Sequence, residues 1–560
     1  MPKPNNQVAF ITYETPFAPC GGVAAVMGRL PEYLQKATGI PTVIITPYHY
    51  KISRTAELEP EMEIVGVIKV PYQNNKIGVH VLRLDREMTW YFLKAVDERF
   101  FAGQRHPYDV GKNQEEIGTN LRRDAIFFGA ATARSLALIA PKARWTVVMQ
   151  DWEAATTALA LVENSPRPGY RSFLTIHNSY DSGAPDSELL RFGINPDLCP
   201  GGTVLERALP LVEEPVFTVS DQFALDFTAE LLQAEVMAPH LKQELPPKLV
   251  GINNGPFADL AVGLDILALA RRGEFEKLIE WKSLNREKSL QALDEFVPTV
   301  DKPVWGDLGK FRRDEAPWFV LAGRDDTRQK GYDVACSAVA RFLDSGGEAR
   351  FLFFPIPGDE GLEGLRFLQK LAKRYPGDVL VLPFIFRDGY LTALRGATYA
   401  VMPSLYEPFG MANEFYAQGT IGIGRATGGI LQQIVPLRAA ASFSLAVQVR
   451  ADRWYGASAH PTGFLYRERD DLPSAIADWN AINSAGYNPR GGRPDRVEQR
   501  ERLALFKAMS DELLLAFKDA VRVHRQQPDL YYRMLVEGID FIRNNFSWER
   551  AAQAYARYLG

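Results

Sequence analysis

Two cations follow an apolar run near the middle of the chain. The run WFVLA precedes GRDDTRQKGYD (residues 323–333), in which Arg324 and Lys330 flank a turn that leads into a helix pattern. Arginine binds phosphate oxygens through paired hydrogen bonds, and lysine adds a compact point charge, so the pair indicates an anionic ligand. The structural alternative is neutralisation by neighbouring aspartates, which are Asp325, Asp326 and Asp333.

A carboxylate and a glycine-rich helix start follow two later strand patterns. In VMPSLYEPFGMANEFYAQGT, Glu407 lies in a turn bracketed by proline and glycine, and the Thr-Gly-Gly run 427–429 opens a helix pattern. A helix N-terminus presents free amide groups and a partial positive charge, which favour anions. Each feature alone has a structural explanation. With Arg324 and Lys330, they describe a site for a diphosphate that bears a sugar.

The first half of the chain carries weaker signals at comparable positions. Gly21 and Gly22 follow the first strand pattern and permit close backbone approach to a ligand, although a tight strand-to-helix turn needs glycine anyway. His177 and Asn178 follow a later strand pattern. A lone histidine is most often a polar surface residue or a capped core residue, but the carboxyl end of a strand makes a functional role equally plausible.

Short apolar runs alternate with helix patterns in both halves, which predicts parallel sheets with crossover helices. Ligands on doubly wound sheets bind beyond the carboxyl ends of the strands, where the residues above lie. The charged helical stretch between the two runs predicts a domain boundary near GINNGPF, residues 251–257. We also expect an inserted helical element at 483–525, a candidate subunit contact in a homo-oligomer. The predicted strands are 8–13, 42–46, 145–149, 173–176, 216–219, 318–322, 350–354, 379–382, 399–402 and 421–423.

Composition narrows the class of protein. The 560 residues favour two large domains, and a formal net charge of −4 gives no reason to expect nucleic acid as a partner. The three cysteines are too widely spaced for a disulfide framework or a thiolate metal site. The N-terminal apolar run is too short for a signal peptide, and no segment is apolar enough to span a membrane. These features predict a cytoplasmic protein with no membrane partner.

Several longer segments, taken in order, resemble the glycogen and starch synthases. These segments are GGVAAVMGRLPEYL, QDWEAATTALAL, TIHNSY, TVSDQFA, INNG, PSLYEPFGMANEFYAQGT and ATGGI. The resemblance implies an α/β GT-B fold, in which two doubly wound Rossmann-like domains face each other across a cleft. It implies an acceptor-side domain over 1–255, a nucleotide-sugar domain over 256–540, and a C-terminal helix, 541–560, that crosses back to the first domain.

The resemblance also implies roles for individual residues. Arg324 and Lys330 would hold the donor diphosphate, Glu407 would bind the donor sugar, and His177 would contact the sugar near its reacting carbon. Asp151 and Trp152 would line the acceptor side. The remaining donor-binding positions are Gly21, Gly22, Asn254, Phe409, Gly410, Thr427, Gly428 and Gly429. The chain has no Asp-x-Asp triplet for a divalent ion, so we expect no metal site and no cofactor besides the nucleotide sugar.

Two departures from the bacterial pattern concern the glycine loop. Bacterial synthases carry KTGGLADV where this chain has PCGGVAAV, so that Pro19 and Ala25 replace a lysine and an aspartate. The spacing from Arg324 to Lys330 is one residue longer than in that group and is similar to the animal and fungal glycogen synthases, which use UDP-glucose. The donor nucleotide therefore stays open among ADP, UDP and GDP.

We expect a retaining transfer of glucose from a nucleotide-glucose to the non-reducing end of an α-1,4-glucan. One alternative is a retaining transferase with another nucleotide sugar or a small acceptor, which Pro19 and Ala25 favour. Another is a non-catalytic carbohydrate-binding or regulatory paralogue. The joint presence of His177, Arg324, Lys330 and Glu407 argues against it, because binding alone does not require them all.

Overall fold

The structure, a computed structural model, divides into two units, each with its own sheet. The chain passes from the first unit to the second between Gly255 and Pro256 and returns to the first at Ser547. The first unit comprises residues 1–229, 237–255 and 547–560, and the second comprises 230–236 and 256–546. The residues that the structure describes are 6–163, 169–311, 314–358, 360–484 and 496–559.

The first unit contains a mixed sheet. Its strands are β1 Asn6–Ile11, β2 Thr42–Pro47, β3 Glu63–Tyr72, β4 Asn75–Asp85, β5 Thr89–Ala95, β6 Arg144–Gln150, β7 Tyr170–Ile176, β8 Val216–Thr218 and β9 Leu249–Gly251. The described strands lie in the order β3-β4-β5-β2-β1-β6-β7-β8-β9. All neighbours from β5 to β9 run parallel, whereas β4 runs antiparallel to both β3 and β5.

The central strands of this sheet are apolar because helices cover both faces. β2 is buried along its whole length, as expected for a strand in the middle of an α/β layer. The helices of the unit are α1 Gly22–Met27, α2 Leu30–Thr38, α3 Ser53–Leu58, α4 Gln114–Ile139, α5 Asp151–Glu163, α6 Asp186–Arg191, α7 Val204–Ala208, α8 Asp221–Ala229 and the C-terminal α22 Trp548–Leu559. α22 packs on α2, and the ring of Tyr555 lies 4.6 Å from that of Phe217 in β8.

The second unit contains a parallel sheet. Its strands are β10 Trp318–Arg324, β11 Arg350–Ile356, β12 Val379–Val381, β13 Tyr399–Met402, β14 Ile421–Arg425 and β15 Phe464–Tyr466. They lie in the order β12-β11-β10-β13-β14-β15, and every pair of neighbours is parallel.

Helices of the second unit cover this sheet. They are α9 Leu264–Arg271, α10 Glu276–Glu295, α11 Tyr332–Asp344, α12 Gly361–Gly364, α13 Arg366–Arg374, α14 Tyr390–Gly396, α15 Ala412–Ala417, α16 Gly428–Gln433, α17 Leu445–Ala451, α18 Ala475–Ser484, α19 Arg496–Arg500, α20 Ala504–Gln526 and α21 Pro528–Asn545. The segment predicted as an inserted element, 483–525, includes α19 and most of α20, and its residues 485–495 lie outside the described part of the chain.

α20 belongs to the layer that packs on the second sheet. It lies beside α11, and its Phe517 ring is 5.3 Å from that of Phe319 in β10 and 5.5 Å from that of Phe351 in β11. Aromatic rings at such distances add edge-to-face attraction to the burial of apolar area. The apolar face of this helix is therefore used within the second unit.

The strand order reverses at β1 in the first sheet and at β10 in the second. In the first sheet β2 lies on one side of β1 and β6 on the other, and in the second sheet β11 and β13 flank β10 in the same way. Such switch points leave a crevice beyond the carboxyl ends of the two strands, which is where α/β proteins bind ligands. In the described part of the chain, every helix is too short or too polar to span a lipid bilayer.

Candidate active site

The second unit brings two of the predicted residues into direct contact at its switch point. Lys330 Nζ lies 2.6 Å from Glu407 Oε2, and the hydroxyl of Ser404 donates to the same oxygen at 2.9 Å. The side-chain amide of Gln329 donates to Glu407 Oε1 at 3.3 Å. Both oxygens of this largely buried carboxylate are thus held by named partners.

The backbone holds the two loops that carry this ion pair. We call residues 324–331 the cation loop and residues 404–410 the EPFG turn. The amide of Leu405 donates to the carbonyl of Gln329 at 2.7 Å. Gly331 has φ +60°, and a Cβ there would lie 2.1 Å from the carbonyl oxygen of Pro403, so only glycine permits this approach.

Arg324 is the last residue of β10 and remains partly exposed. Its guanidinium lies 3.6 Å from Asp326 Oδ2, which is a loose ion pair, and 37% of its side chain is accessible. One of the aspartates named as a structural alternative is therefore a partner of Arg324. The carboxylate that pairs with Lys330 comes instead from Glu407.

The Thr-Gly-Gly run packs tightly against the EPFG turn. Gly428 has φ +45°, and a Cβ on it would lie 1.8 Å from the carbonyl oxygen of Glu407. A Cβ on Gly429 would lie 2.0 Å from the carbonyl oxygen of Phe409, and the Gly429 amide donates to the Glu407 carbonyl at 3.0 Å. Thr427 is buried, and its side chain makes no capping hydrogen bond. The run therefore positions Glu407, while its contact with donor phosphates stays a prediction.

A buried arginine holds the EPFG turn through a hydrogen bond to its backbone. Arg425, at the end of β14, donates from Nη1 to the carbonyl of Leu405 at 2.5 Å. Its Nε donates to Glu468 Oε2 at 2.9 Å, and the nearby Arg467 pairs with Glu230. Burying charges is costly unless each is paired, and these four side chains satisfy that condition within the second unit.

Sequence reasoning missed Glu414, which lies in α15, four residues after the end of the EPFG turn. Its Oε1 accepts a hydrogen bond from the Phe257 amide at 2.8 Å, and burial raises the pKa of its carboxyl group to about 7. Phe409 is buried between the rings of Phe257 and Phe546, and Gly410 has φ +93°. The available signal was a second acidic residue in EPFGMANE.

The glycine loop of the first unit surrounds a carboxylate that the sequence analysis also missed. The Gly21 amide donates to both carboxylate oxygens of Glu14 at 2.8 Å, and the Ala24 amide donates to Oε1 at 2.9 Å. Glu14 is 2% exposed. The Gly21 amide therefore donates to the internal carboxylate of Glu14. A Cβ on Gly22 would have no atom within 4 Å, so there is open space beside that residue.

His177 lies at the carboxyl end of β7 as a neutral ring. Burial lowers its pKa to about 3. The side-chain amide of Gln150 donates to the Val148 carbonyl, which leaves Gln150 Oε1 to accept from His177 Nε2 at 2.8 Å. A neutral imidazole that donates through Nε2 keeps Nδ1 as a hydrogen-bond acceptor.

Asp151 holds the turn that carries His177. Its Oδ1 accepts from the His177 amide at 2.6 Å and its Oδ2 accepts from the Asn178 side chain at 3.3 Å. The residue has φ +60°, and burial together with the charge of Glu14 raises the pKa of its carboxyl group. Trp152 is buried beside it, and Asn254 is buried at the end of the unit. The acceptor-side role of Asp151 and Trp152 stays a prediction.

The site residues thus form one group in each unit. In the second unit, contacts or packing connect Lys330, Glu407, Thr427, Gly428, Gly429, Phe409 and Gly410, with Arg324 in the same loop as Lys330. In the first unit, Asp151 and His177 are in contact, and Glu14 connects to Gly21. The second group lies at the switch point of its sheet, and the residues of the first group follow β1, β6 and β7.

Comparisons with known proteins point to one class of enzyme. Residues 7–225 match the family model described as the starch synthase catalytic domain, and residues 277–419 match that of a family 4 glycosyltransferase in conflict systems. A glycogen synthase of Kosmotoga olearia is 24% identical over 76% of this chain and 82% of its own length. A glycogen synthase of Agrobacterium fabrum is 27% identical over 76% of this chain and 78% of its own length.

The fold agrees with a solved structure of the same kind. The catalytic domain of starch synthase IV from Arabidopsis thaliana superposes with a TM-score of 0.67 at 17% sequence identity, and the match covers 99% of this chain and 98% of that chain. At this identity the likeness concerns the fold. Together with the family model and the glycogen synthases, it supports a glycosyltransferase with the GT-B fold that is similar to the glycogen and starch synthases.

Proposed function

We propose that the protein transfers glucose from a nucleotide-glucose to the non-reducing end of an α-1,4-glucan, with retention of configuration at the anomeric carbon. The observation that carries the proposal is the contact of Lys330 with Glu407 beside Arg324, at the switch point of the second sheet. It offers two cations for a diphosphate and one carboxylate for sugar hydroxyls within two adjoining loops.

The cations act on the leaving group. As the bond between the sugar C1 and the phosphate oxygen breaks, its electron pair moves onto the nucleoside diphosphate. Arg324 and Lys330 neutralise that growing charge, a form of stabilisation that supplies several kcal/mol in phosphoryl-group chemistry. When the diphosphate attracts Lys330, the carboxylate of Glu407 accepts hydrogen bonds from the hydroxyl groups of the donor sugar instead.

The acceptor attacks from the face that the diphosphate leaves. The new bond joins the acceptor's O4 to C1, and the hydroxyl proton passes to the departing phosphate oxygen, so that no protein base is required. The neutral ring of His177 suits a position near C1, because an imidazolium would repel the positive charge that develops on the sugar ring. The burial that lowers the His177 pKa supports this role.

The donor is ADP-glucose or UDP-glucose. The relatives described as glycogen synthases and the starch synthase IV structure that contains ADP and acarbose support a nucleoside diphosphate donor and a glucan acceptor. Incubation with ADP-, UDP- and GDP-glucose, with and without glycogen, tests the proposal. We expect glycogen-dependent release of ADP or UDP and α-configured product by NMR. Transfer to a small sugar but not to glycogen would favour the alternative that Pro19 and Ala25 suggest.

A further inference from the structure

Three polar links join α11 to the helices that follow residue 495. On α11, Asp333, Ser337 and Arg341 are four residues apart and therefore lie on one face of the helix. Arg500 Nε lies 2.9 Å from Asp333 Oδ2, the hydroxyl of Ser510 donates to Ser337 at 3.1 Å, and Asp511 pairs with Arg341 at 2.5 Å.

Arg500 makes the link at the end of α11 next to the cation loop. Its Nη1 also donates to the carbonyl of Thr327, inside the loop, at 2.7 Å. Arg500 is 1% exposed and Asp333 is completely buried. One guanidinium therefore fixes both the middle of the cation loop and the first turn of the helix that follows it.

Several acidic side chains lie in or near the cation loop. Asp325 is buried, and its pKa is raised by burial and by the charges of Asp326, Asp333 and Glu360, while Arg500 acts in the opposite direction. Asp326 already lies near Arg324. Without Arg500, Asp333 would lose the cation that lies 2.9 Å from it, and the Thr327 carbonyl would lose a hydrogen-bond donor.

Stability alone is a weak reason to bury such a pair. The desolvation of two buried ions often cancels their attraction, so replacing a pair by apolar residues is often neutral or stabilising. What an apolar pair cannot do is donate to the Thr327 carbonyl and fix the loop in one conformation.

We propose that Arg500 is a positioning residue for donor binding: through Asp333 and the Thr327 carbonyl it holds the cation loop so that Arg324 and Lys330 face the donor diphosphate. The inference rests on the proposed function of those two cations. It assigns a role to the segment after residue 495, which was predicted from the sequence as an inserted helical element and a candidate subunit contact.

The test compares Arg500→Ala and Arg500→Lys with Arg350→Ala. Arg350 is also 1% exposed and also pairs with two acids, Asp314 and Asp378. It is the first residue of β11, so it lies at the amino ends of the parallel strands, whereas the cation loop lies at their carboxyl ends. The measurements are the melting temperature, the Kd of ADP and of UDP by calorimetry, and kcat and KM for both substrates, all on the full chain at a temperature where each variant is folded.

We expect Arg500→Ala to raise the nucleotide Kd and the donor KM about tenfold or more, while the KM for glycogen stays within about twofold. Arg500→Lys should lie between wild type and Arg500→Ala, because it keeps the charge but loses the forked geometry. Arg350→Ala should lower the melting temperature and leave nucleotide affinity within about twofold of wild type.

The inference would be overturned if both Arg500 variants bound nucleotide with the same Kd as Arg350→Ala. If Arg500→Ala does not fold, Arg500→Lys decides the test. A nucleotide Kd of Arg500→Lys equal to that of the wild type would also overturn the inference. A wild-type protein that binds neither ADP nor UDP would instead remove the proposed function, so the two failures are distinguishable.

Discussion

Lys330 Nζ lies 2.6 Å from Glu407 Oε2, although 77 residues separate the two in the sequence. The contact joins the loop after β10 to the turn after β13, and the hydrogen bond from Leu405 to Gln329 runs alongside it. The cation loop and the EPFG turn therefore form one connected structure.

Replacing Arg324 tests the role of the more exposed of the two cations. Its side chain is partly exposed, so Arg324→Ala should leave the fold intact and lower turnover about a hundredfold or more through lost stabilisation of the leaving diphosphate. Steady-state kinetics with the preferred nucleotide-glucose measure this. The matched control is Arg328→Ala in the same loop, whose side chain is 46% exposed and lies 4.0 Å from Asp326. Equal activity in both variants would contradict the role of Arg324.

The contact of Lys330 with Glu407 predicts strong coupling in stability. Lys330→Ala leaves a carboxylate that is 9% exposed without its cation and should cost about 2 kcal/mol or more in the free energy of unfolding. In Lys330→Ala/Glu407→Gln, part of that cost should be recovered, because no uncompensated charge remains. Urea denaturation of the wild type, Lys330→Ala, Glu407→Gln and the double variant gives the coupling energy. Strictly additive changes would show that the two side chains do not interact in solution.

The packing of the Thr-Gly-Gly run predicts a steep effect of a single methyl group. In Gly429→Ala the new Cβ would lie 2.0 Å from the backbone carbonyl of Phe409, so the EPFG turn must move. We expect a loss of about 3 kcal/mol or more in stability. Gly456→Ala, which has open space around its Cβ, should change stability by less than about 0.5 kcal/mol. Similar denaturation midpoints for the two variants would contradict the tight packing.

Glu414 predicts a pH dependence of stability with a definite sign. Burial raises its pKa from 4.5 to about 7, so between these values the folded state binds more protons than the unfolded state. Its contribution to stability therefore falls as pH rises through this window, by about 3 kcal/mol in all, and is constant above it. Glu414→Gln removes the dependence.

Urea denaturation of wild type and Glu414→Gln at pH values on both sides of this window measures the effect. Relative to the variant, the wild type should be less stable on the alkaline side than on the acidic side. An equal difference on both sides would show that the Glu414 carboxyl group titrates normally.

The sequence predicted the residues at strand ends better than their partners. Arg324 and Glu407 follow apolar runs that do form β10 and β13, because buried parallel strands need continuous apolar sequence. The partner of Lys330 was unreadable, since the contact depends on how two distant loops pack. Likewise, Gly21 and Gly22 were visible as a flexible turn, but no local pattern shows that Glu14 occupies the Gly21 amide.

Two further features had no local signal. β3, β4 and β5 form an antiparallel arm without intervening helices, whereas the predicted strands include none of the three and the alternation of strand and helix patterns predicted parallel sheets. The acceptor-side role of Asp151 was implied only by the resemblance of the segment QDWEAATTALAL to the glycogen and starch synthases. Its contacts with His177 and Asn178 depend on two parallel strands lying side by side, which periodicity does not specify.

The most direct measurement is incorporation of radiolabelled glucose into glycogen from ADP-glucose and from UDP-glucose, by the wild type, Arg324→Ala and Arg328→Ala. We predict label in glycogen with at least one donor for the wild type and for Arg328→Ala, and about a hundredfold less for Arg324→Ala. Folded wild-type protein that labels no glycogen from either donor, or an Arg324→Ala variant as active as wild type, would contradict the account.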